Sequence, residues 1–352
     1  MLKKIFKKIY ILLIILSLIF IIFLTIKSKN KPQSNTITDS GKTQNYSVSK
    51  NGWLSVNSTN LQNEKKQNIQ LTGLSSHGIQ WYSDIITYNN LKQLKNDWGI
   101  NIFRVAMYSE AYISNPEELK QKLINIVDYC IDLDMYVIID WHILNDSNPN
   151  TYYEQSNTFF NELSKKYEST PNVIYEICNE PNGNVVTWDD EIKPYAEKII
   201  NTIRTNNPNS LIIVGTPDWC KKLKPVADNP LDYDNIAYSC HFYSGSHGKD
   251  LQNDIDYALN KHICIFVSEC GLTDATGDGQ MYFDEFNEWI DFLNKRNISW
   301  LFWSFSAKNE SSSILLPEYT LNSINENSSN NINNYLSDSG KFIKKFFKYE
   351  QK

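Results

Sequence analysis

Residues 173–181 read Val-Ile-Tyr-Glu-Ile-Cys-Asn-Glu-Pro, an apolar run that turns polar at its carboxyl end. Residues 263–271 have the same form and read Ile-Cys-Ile-Phe-Val-Ser-Glu-Cys-Gly. Short runs rich in β-branched and aromatic residues predict strands buried on both faces, as in a parallel sheet. Each run delivers a glutamate, Glu180 or Glu269, at or just beyond the end of a strand.

The same pattern recurs along the chain and predicts the fold. Strand-like runs occur at residues 69–74, 101–106, 136–140, 173–178, 211–215, 236–240, 263–268 and 299–304. Stretches of helical period separate them; one, opened by Pro116, carries Leu119, Leu123 and Val127 on one face. Eight strands alternating with helices are typical of an α/β fold, a (β/α)8 TIM barrel formed by residues 49–349 as a single domain. An open doubly wound sheet is the alternative.

The amino-terminal segment has a different composition. Residues 9–26 are an almost unbroken apolar run with lysines on both sides, long enough to cross a bilayer as a helix. We expect an uncleaved transmembrane signal-anchor, with the basic residues 1–8 in the cytoplasm and residues 27–48 as a disordered linker. A cleaved signal peptide is the alternative. The first reading predicts a barrel on the outer face of the cell membrane, and the second a secreted one.

Charge and cysteine usage limit the partners and cofactors. The whole chain carries a formal charge of −6, and residues 1–31 hold seven lysines and no acid, which leaves −13 for the rest. This balance argues against nucleic acid as a partner and permits a neutral polymer. The six cysteines follow neither C-x-x-C nor a zinc-ligand spacing, so we expect mainly buried thiols and no cofactor. We also expect a monomer.

The polar residues at the predicted strand ends are the candidates for chemistry, because function in such barrels lies at the carboxyl ends of the strands. Glu180 and Glu269 follow the fourth and seventh strands, so their carboxylates can converge over one mouth. Retaining glycosidases need two carboxylates about 5–5.5 Å apart. The alternative is that each glutamate is a structural carboxylate. Arg104 has two possible roles as well. In the catalytic interpretation it lies near Glu269 and favours the charged form of that carboxylate, and in the structural one it forms an ion pair with Asp140 or Glu176.

Histidines and aromatic residues also fall at the strand ends. His77, His142 and His241, together with the two glutamates, permit a second chemistry, that of a metal-dependent hydrolase. Among the aromatic residues we expect Trp81, Trp219 and Trp303 to line a groove, because flat apolar surface at a functional rim binds ligands. For Trp141 we expect packing in the core.

These motifs resemble glycoside hydrolase family 5, and within it the bacterial endoglucanases of subfamily 2. The resemblance rests on Ser-Ser-His77-Gly-Ile-Gln-Trp81, Phe-Arg104-Val-Ala-Met-Tyr108, Asp140-Trp-His142, Asn179-Glu180-Pro181, His241-Phe-Tyr243, Ser268-Glu269 and Trp303-Ser. It covers residues 48–347. The resemblance implies a cellulase that hydrolyses internal β-1,4-glucosidic bonds by a retaining mechanism, without a metal or other cofactor.

The resemblance also implies roles for individual residues. Glu180 would be the acid/base and Glu269 the nucleophile. The supporting residues would be Arg104, His142, Asn179, His241 and Tyr243, and the substrate-binding residues His77, Trp81, Tyr108, Trp219, Trp303, Lys308 and Glu310.

The chain departs from the family pattern at three positions. Cys270 stands where an aromatic residue is usual, and Cys220-Lys221 where Ser-Gln is usual. We expect Cys270 to point away from the chemistry, whereas Lys221 puts the affinity of a sugar subsite in question. The same two glutamates would also serve hydrolysis of mannan, xyloglucan or mixed-linkage glucan, and a non-catalytic barrel that binds glucan at the cell surface is a further alternative.

Overall fold

The computed structural model describes residues 47–319 and 331–347. The predicted basic segment, the membrane anchor and all but the end of the predicted linker lie outside the described residues. Within those two ranges, no helix is long and apolar enough to span a bilayer.

Eight parallel strands form a closed barrel, and each strand pairs with two neighbours. The closure excludes the open doubly wound sheet, because the last strand pairs with the first barrel strand as well as with the seventh. The (β/α)8 prediction is therefore confirmed. In chain order the barrel strands are β4 (Thr72–Ser76), β5 (Ile102–Tyr108), β6 (Tyr136–His142), β7 (Val173–Glu176), β8 (Ile212–Val214), β9 (Ile236–Tyr243), β10 (Ile265–Gly271) and β11 (Trp300–Phe305).

Several strands continue beyond the apolar runs that predicted them. Tyr108 still pairs with His142, and Tyr243 with Gly271, at the carboxyl ends of their strands. Backbone pairing holds these polar residues in extended conformation, so their side chains alternate between the barrel interior and the helices. Several candidate residues thus lie on rigid strands and not on loops.

Helices cover the outside of the barrel and bury the apolar faces that the sequence predicts. The helix Pro116–Asp132 buries Leu119, Leu123 and Val127. Among the described residues, the α-helices are Val48–Asn51, Ile79–Tyr82, Tyr88–Gln93, Ser109–Ser114, Pro116–Asp132, Tyr153–Lys166, Lys193–Asn206, Lys224–Asp228, Lys249–Asn260, Phe283–Lys295 and Asp338–Ile343, together with the short segment Pro217–Cys220, in which Asp218 and Trp219 are left-handed. Single π-helical turns occur at Leu94–Trp98 and Trp188–Ile192, and 3₁₀ turns at Ser83–Ile85, Ile332–Tyr335 and Lys344–Phe346.

A small antiparallel sheet closes the amino-terminal end of the barrel, and the sequence did not reveal it. Its strands are β1 (Ser55–Asn57), β2 (Asn60–Gln62) and β3 (Asn68–Ile69). Leu61 and Ile69 pack in one cluster with Ile102, Ile138 and other inward-facing side chains from the beginnings of the barrel strands. Strands of two or three residues carry too little periodicity to be recognised from sequence.

The cysteines agree with the prediction. All six are free and buried. Cys270 packs in the layer between barrel and helices, with its thiol 3.2 Å from the Leu301 carbonyl, and so points away from the barrel mouth.

Candidate active site

The carboxyl ends of the barrel strands border a cleft with a volume of about 410 Å³. Eleven of the predicted site residues line it: His77, Tyr108, His142, Glu180, Trp219, His241, Tyr243, Glu269, Trp303, Lys308 and Glu310. Trp81 is 59% exposed at its rim, with its ring 5.2 Å from that of Tyr108. Arg104 and Asn179 are fully buried behind the cleft surface. Trp141 packs against Tyr112 and Phe159 in the core, as predicted.

The two predicted glutamates meet at the centre of this cleft. One carboxylate oxygen from Glu180, one from Glu269 and one ring nitrogen of His241 all lie within 4.8 Å of one another. An irregularity in β10 contributes to this arrangement, because its register shifts against both neighbouring strands between Phe266 and Cys270. The shift lets the consecutive residues Ser268 and Glu269 both face inward, which a regular strand does not allow.

Arg104 organises the floor of the site. Its Nε lies 2.6 Å from Glu176 Oε2, its Nη1 3.2 Å from Glu269 Oε2, and its Nη2 3.0 Å from Asp140 Oδ2. The sequence left two roles open for Arg104, contact with Glu269 or a structural ion pair. One buried guanidinium serves both, because its planar fork presents donors in several directions.

Two donors hold Glu269. The Tyr243 hydroxyl donates to Oε1 at 2.7 Å, and Arg104 Nη1 donates to Oε2 at 3.2 Å. Burial raises the pKa of Glu269 to about 7, while Arg104 and the Tyr243 hydroxyl favour its charged form. Both donors orient the carboxylate and leave lone pairs facing the cleft.

Glu180 has a different environment. Its Oε1 lies 2.7 Å from His241 Nδ1, and burial raises its pKa to about 7. Burial also lowers the pKa of His241 to about 4, so the ring is neutral at pH 7. Two neighbouring buried carboxyls with raised pKa values share one proton near neutrality. Glu269 has a cationic donor, whereas Glu180 has a neutral partner, and this difference favours ionisation of Glu269 over ionisation of Glu180.

His142 and Asn179 form a rigid wall beside the pair. His142 Nδ1 lies 2.7 Å from Asp140 Oδ2, and its Nε2 lies 3.2 Å from Asn179 Nδ2. Asn179 in turn accepts from Arg104 Nη2 at 2.6 Å and donates to the Ile143 carbonyl at 3.1 Å. With both ring nitrogens engaged, His142 is locked in place.

Aromatic rings line the other part of the cleft. The Trp303 ring lies 5.0 Å from that of His77 and is stacked 5.4 Å from that of His142. Tyr108 lies 4.2 Å from the His142 ring, which continues the surface towards Trp81. The result is a contiguous aromatic wall whose faces can stack on sugar rings.

Comparison with known proteins agrees with this geometry. Residues 62–309 match the family described as Cellulase (glycosyl hydrolase family 5). The chain belongs to glycosyl hydrolase family 5. It is 52% identical to Endoglucanase A of Evansella cellulosilytica over 71% of this chain and 51% of that protein. It is 49% identical to an endoglucanase of Clostridium saccharobutylicum over 79% of this chain and 62% of that protein. The chain thus spans about half to two thirds of the length of these curated relatives.

A solved structure in family 5 shows the same fold. The catalytic domain of Thermobifida fusca endoglucanase Cel5A, solved in complex with cellotetraose, superposes with a TM-score of 0.79 at 34% identity. The alignment covers 85% of this chain and 98% of that one.

Trp219 lies on an unusual turn whose backbone conformation the sequence did not predict. Asp218, Trp219 and Cys220 have φ values of 60°, 56° and 59°, a left-handed turn without glycine. The turn is held by the Trp219 amide, which donates to the Pro181 carbonyl at 3.1 Å, and by the Cys220 thiol, 2.9 Å from the Asn179 carbonyl. It leaves Trp219 42% exposed at the cleft.

The two departures after Trp219 have different positions. Cys220 is buried beneath the turn, whereas Lys221 lines the cleft with its Nζ 5.2 Å from the centre of the Trp219 ring. On the opposite flank, Lys308 Nζ and Glu310 Oε2 form a 2.5 Å ion pair, and Glu310 Oε1 lies 3.9 Å from His77 Nε2.

Sequence reasoning did not name five residues that line the cleft: Leu144, His247, Ala275, Thr276 and Gly277. A sixth, Lys221, was named as a departure from the family pattern that bears on a sugar subsite. His247 lies four residues after Tyr243, and its Nδ1 accepts from the Tyr243 amide at 2.9 Å. Its place in the turn that follows the strand Ile236–Tyr243 was a usable signal, whereas residues 275–277 belong to a loop that only the fold brings to the cleft.

The distances between the side-chain atoms that could bind a metal ion test the metal-dependent alternative. Glu180, His241 and Glu269 are the residues that could hold an ion in the described part of the chain. Glu180 Oε1 and His241 Nδ1 are 2.7 Å apart, which is a hydrogen-bond distance. Two ligands about 2.0–2.1 Å from a tetrahedral zinc lie farther apart than this. His142 has both ring nitrogens engaged and does not join the cluster. The geometry therefore favours acid–base chemistry.

Proposed function

We propose that this family 5 chain is an endo-β-1,4-glucanase that acts by retaining double displacement, with Glu269 as nucleophile and Glu180 as acid/base. The observation that carries the proposal is the separation of the two glutamates, whose facing oxygens lie within 4.8 Å. Retaining enzymes hold their carboxyl groups about 5–5.5 Å apart, whereas inverting enzymes need about 6.5–9.5 Å to admit a water.

The first displacement uses the asymmetry between the two glutamates. Glu269, ionised and oriented by Tyr243 and Arg104, attacks the anomeric carbon. Glu180, which carries the shared proton, protonates the glycosidic oxygen as the bond breaks. The products are a covalent glycosyl-enzyme at Glu269 and a free alcohol leaving group.

The second displacement reverses these roles. Glu180, now ionised, removes a proton from a water molecule that enters where the leaving group stood. The resulting hydroxide attacks the anomeric carbon and releases Glu269 as a carboxylate, and Glu180 is again protonated. Two inversions at one carbon retain the β-configuration.

The choice of β-1,4-glucan rests on the relatives and on the walls of the cleft. The aligned relatives bear the name endoglucanase, and the Thermobifida fusca domain was solved with cellotetraose. In this chain Trp81, Trp219 and Trp303 supply flat surface along and beside the cleft. The formal charge of −6 suits a neutral polymer.

Carboxyl-to-amide substitution tests the proposal. We expect Glu180→Gln and Glu269→Gln each to lower hydrolysis of carboxymethylcellulose by at least about a thousandfold, since each removes a group acting at the reacting atoms. Glu154→Gln, an exposed substitution on the helix Tyr153–Lys166, is the matched control. Full activity in either cleft variant contradicts the proposal. Loss of wild-type activity in EDTA favours the metal-dependent alternative.

Product stereochemistry and a polysaccharide panel complete the test. NMR of the first product released from cellotetraose is expected to show the β-anomer, and an α-anomer contradicts double displacement. Reducing-end assays on cellulose, mannan, xyloglucan and mixed-linkage glucan measure the preference. Faster hydrolysis of mannan or xyloglucan contradicts the assignment to cellulose.

For localisation, we propose that residues 9–26 hold the enzyme, as a monomer, at the outer face of the membrane. The support is the composition of this segment and its flanking lysines. Full-length protein is expected in the membrane fraction after alkaline carbonate washing, whereas a chain lacking residues 1–46 is expected in the soluble fraction. Recovery of a shortened chain from the medium indicates cleavage instead.

A further inference from the structure

A continuous chain of hydrogen bonds runs beneath the cleft from Arg104 to Glu180. Arg104 Nε lies 2.6 Å from Glu176 Oε2, and the Ser268 hydroxyl lies 2.6 Å from Glu176 Oε1. Ser268 Oγ is also 3.0 Å from His241 Nε2, and His241 Nδ1 is 2.7 Å from Glu180 Oε1. Every member is buried. In such a chain, the proton position in one bond determines those in the next.

The direction of hydrogen-bond donation along this chain is set at Glu176. Its 2.6 Å contact with Arg104 is the shortest of the three that this guanidinium makes with carboxylates. Burial raises the pKa of Glu176, and the contact with Arg104 opposes that change. An ionised carboxylate can only accept hydrogen bonds, so Ser268 must donate its single proton to Glu176.

The proton of Ser268 in turn determines which atom donates in the hydrogen bond between Ser268 and His241. With its proton committed to Glu176, Ser268 Oγ can only accept from His241 Nε2 at 3.0 Å and from the Ser239 hydroxyl at 2.6 Å. His241 therefore carries its proton on Nε2. A neutral imidazole has one N–H, which leaves a lone pair on Nδ1 facing Glu180.

We infer that Glu176 and Ser268 are positioning residues that hold His241 in its Nε2–H tautomer, so that its Nδ1 can bond Glu180 only when Glu180 is protonated. The inference rests on the proposed function and deepens it, because it names the residues that keep the acid Glu180 protonated. When Glu180 gives up that proton, its carboxylate faces a lone pair. Recovery of a proton from water in the second displacement is favoured for the same reason.

The irregularity in β10 makes the chain possible. Because the register shifts between Phe266 and Cys270, Ser268 reaches His241 and Glu176 while Glu269 faces the cleft. A regular strand would send one of these two side chains into the helical layer. One backbone feature thus supplies both the nucleophile and the last link to the acid.

Other charged and titratable groups also face this chain and bear on its pH dependence. Arg104 and Lys221 favour the ionised form of Glu180, whereas Glu176 disfavours it. The further groups whose charge is felt at Glu180, at His241 or at both are Asp140, Glu269, Cys220, Tyr108, Tyr243, His142 and His247. An experiment must therefore separate the tautomer of His241 from simple loss of charge.

The tautomer can be read directly, without substrate. Protein labelled with ¹⁵N in its five histidines is examined by long-range ¹H–¹⁵N correlation NMR, with His241 assigned from the spectrum of His241→Asn. We expect the shifts of an Nε2–H tautomer for His241 in the wild type. An Nδ1–H tautomer or an imidazolium at pH 7 overturns the inference whatever the variants do.

Glu176→Gln is expected to reverse the direction of donation in the hydrogen bonds that link residue 176 to Glu180. Arg104 Nε will hold the amide oxygen, which turns the amide NH₂ towards Ser268. Ser268 then donates to His241 Nε2, and a new Nδ1–H stabilises ionised Glu180. We expect the Nδ1–H tautomer by NMR and a fall of about one unit or more in the pH of the alkaline limb of kcat/KM on cellotetraose. Hydrolysis of 2,4-dinitrophenyl cellobioside, whose leaving group needs no acid, is expected to fall much less.

Two further variants separate this effect from charge and from folding. Asp140→Asn removes the same charge from beside Arg104 without touching Ser268, and we expect His241 to keep Nε2–H. Ser268→Ala keeps every charge and is expected to populate both tautomers and shift the alkaline limb in the same direction by a smaller amount. Equal limb shifts in Glu176→Gln and Asp140→Asn with an unchanged His241 tautomer overturn the inference. A wild type that shows Nε2–H but does not cleave cellotetraose contradicts the proposed function alone.

Discussion

The hydroxyl of Tyr243 lies 2.7 Å from Oε1 of Glu269 and donates to it. This bond favours the ionised carboxylate, so Tyr243→Phe is expected to raise the pKa of Glu269. Because Glu269 must be ionised to attack, the acidic limb of kcat/KM moves to higher pH. A hydrogen bond to a charged group contributes about 1.5–3 kcal/mol, which corresponds to a loss of roughly tenfold to a hundredfold in kcat/KM.

The measurement is a pH profile on cellotetraose. Tyr136→Phe is the matched control, since it removes a buried hydroxyl that donates to the Gly52 carbonyl at the opposite end of the barrel. The control is expected to keep the wild-type profile. An unshifted acidic limb in Tyr243→Phe is inconsistent with the role given to this bond.

The raised pKa of Glu180 also has a consequence for stability. Burial raises it from 4.5 to about 7, so between these values the folded protein binds protons more tightly than the unfolded chain. The contribution of Glu180 to stability is therefore lost as pH rises through that window. Glu180→Gln removes the ionisation, and at pH 8 we expect it to be more stable than the wild type by about 1–3 kcal/mol.

Calorimetry at pH 4.5 and pH 8 tests this prediction. The difference in Tm between Glu180→Gln and the wild type is expected at pH 8 and should nearly vanish at pH 4.5, where Glu180 is protonated. Glu154→Gln should show no difference at either pH, because the side chain is exposed. A variant less stable than the wild type at pH 8 contradicts the prediction.

Arg104 is expected to be the most sensitive position in the site for stability. Arg104→Met leaves Asp140, Glu176 and Glu269 without their shared cation. Removing one partner of a buried ion pair costs about 3–5 kcal/mol, because the remaining charge is uncompensated. The loss of stability in Arg104→Met should become smaller as pH falls, because the three carboxylates take up protons.

Denaturant unfolding at pH 5 and pH 8 measures that change. Arg104→Lys is the companion variant, which keeps the charge and loses the fork, and its loss of stability should be smaller. An Arg104→Met deficit that does not change with pH would mean that packing, and not charge, accounts for it.

Trp81 is expected to affect binding without affecting chemistry. Its ring is 59% exposed beside Tyr108 and lies at the rim, away from the two glutamates. We expect this ring to stack on a sugar that only the longer substrate places there, so Trp81→Ala should raise KM on carboxymethylcellulose about fivefold to tenfold, a change of roughly 1–1.4 kcal/mol. Hydrolysis of an aryl cellobioside should be unchanged.

Steady-state kinetics on the two substrates test this difference. Trp53→Ala, near the small sheet that closes the other end of the barrel, is the control and should leave both KM values unchanged. A fall in kcat on both substrates in Trp81→Ala contradicts a role limited to binding.

The sequence predicted the eight strands, and it named polar residues that the structure brings together at the carboxyl ends of those strands. Alternating apolar runs and helical stripes are local properties, and a polar residue at the end of a run marks the barrel mouth wherever that run lies in the fold. For this reason Glu180, Glu269, His241 and Tyr243 could be named before the structure was known. The short strands β1 to β3 and the cleft loop at residues 275–277 escaped notice because neither carries a periodic signal.

By itself, the sequence determined the alternation of eight strands with helices, and it placed the two glutamates and several polar neighbours at the strand ends. Only the tertiary structure decided that the barrel is closed and that Arg104 serves three carboxylates. It also decided the separate hydrogen-bond partners of Glu180 and Glu269, on which the position of a shared proton depends. The physical reason is that electrostatic coupling depends on distances of a few ångströms between residues far apart in the chain.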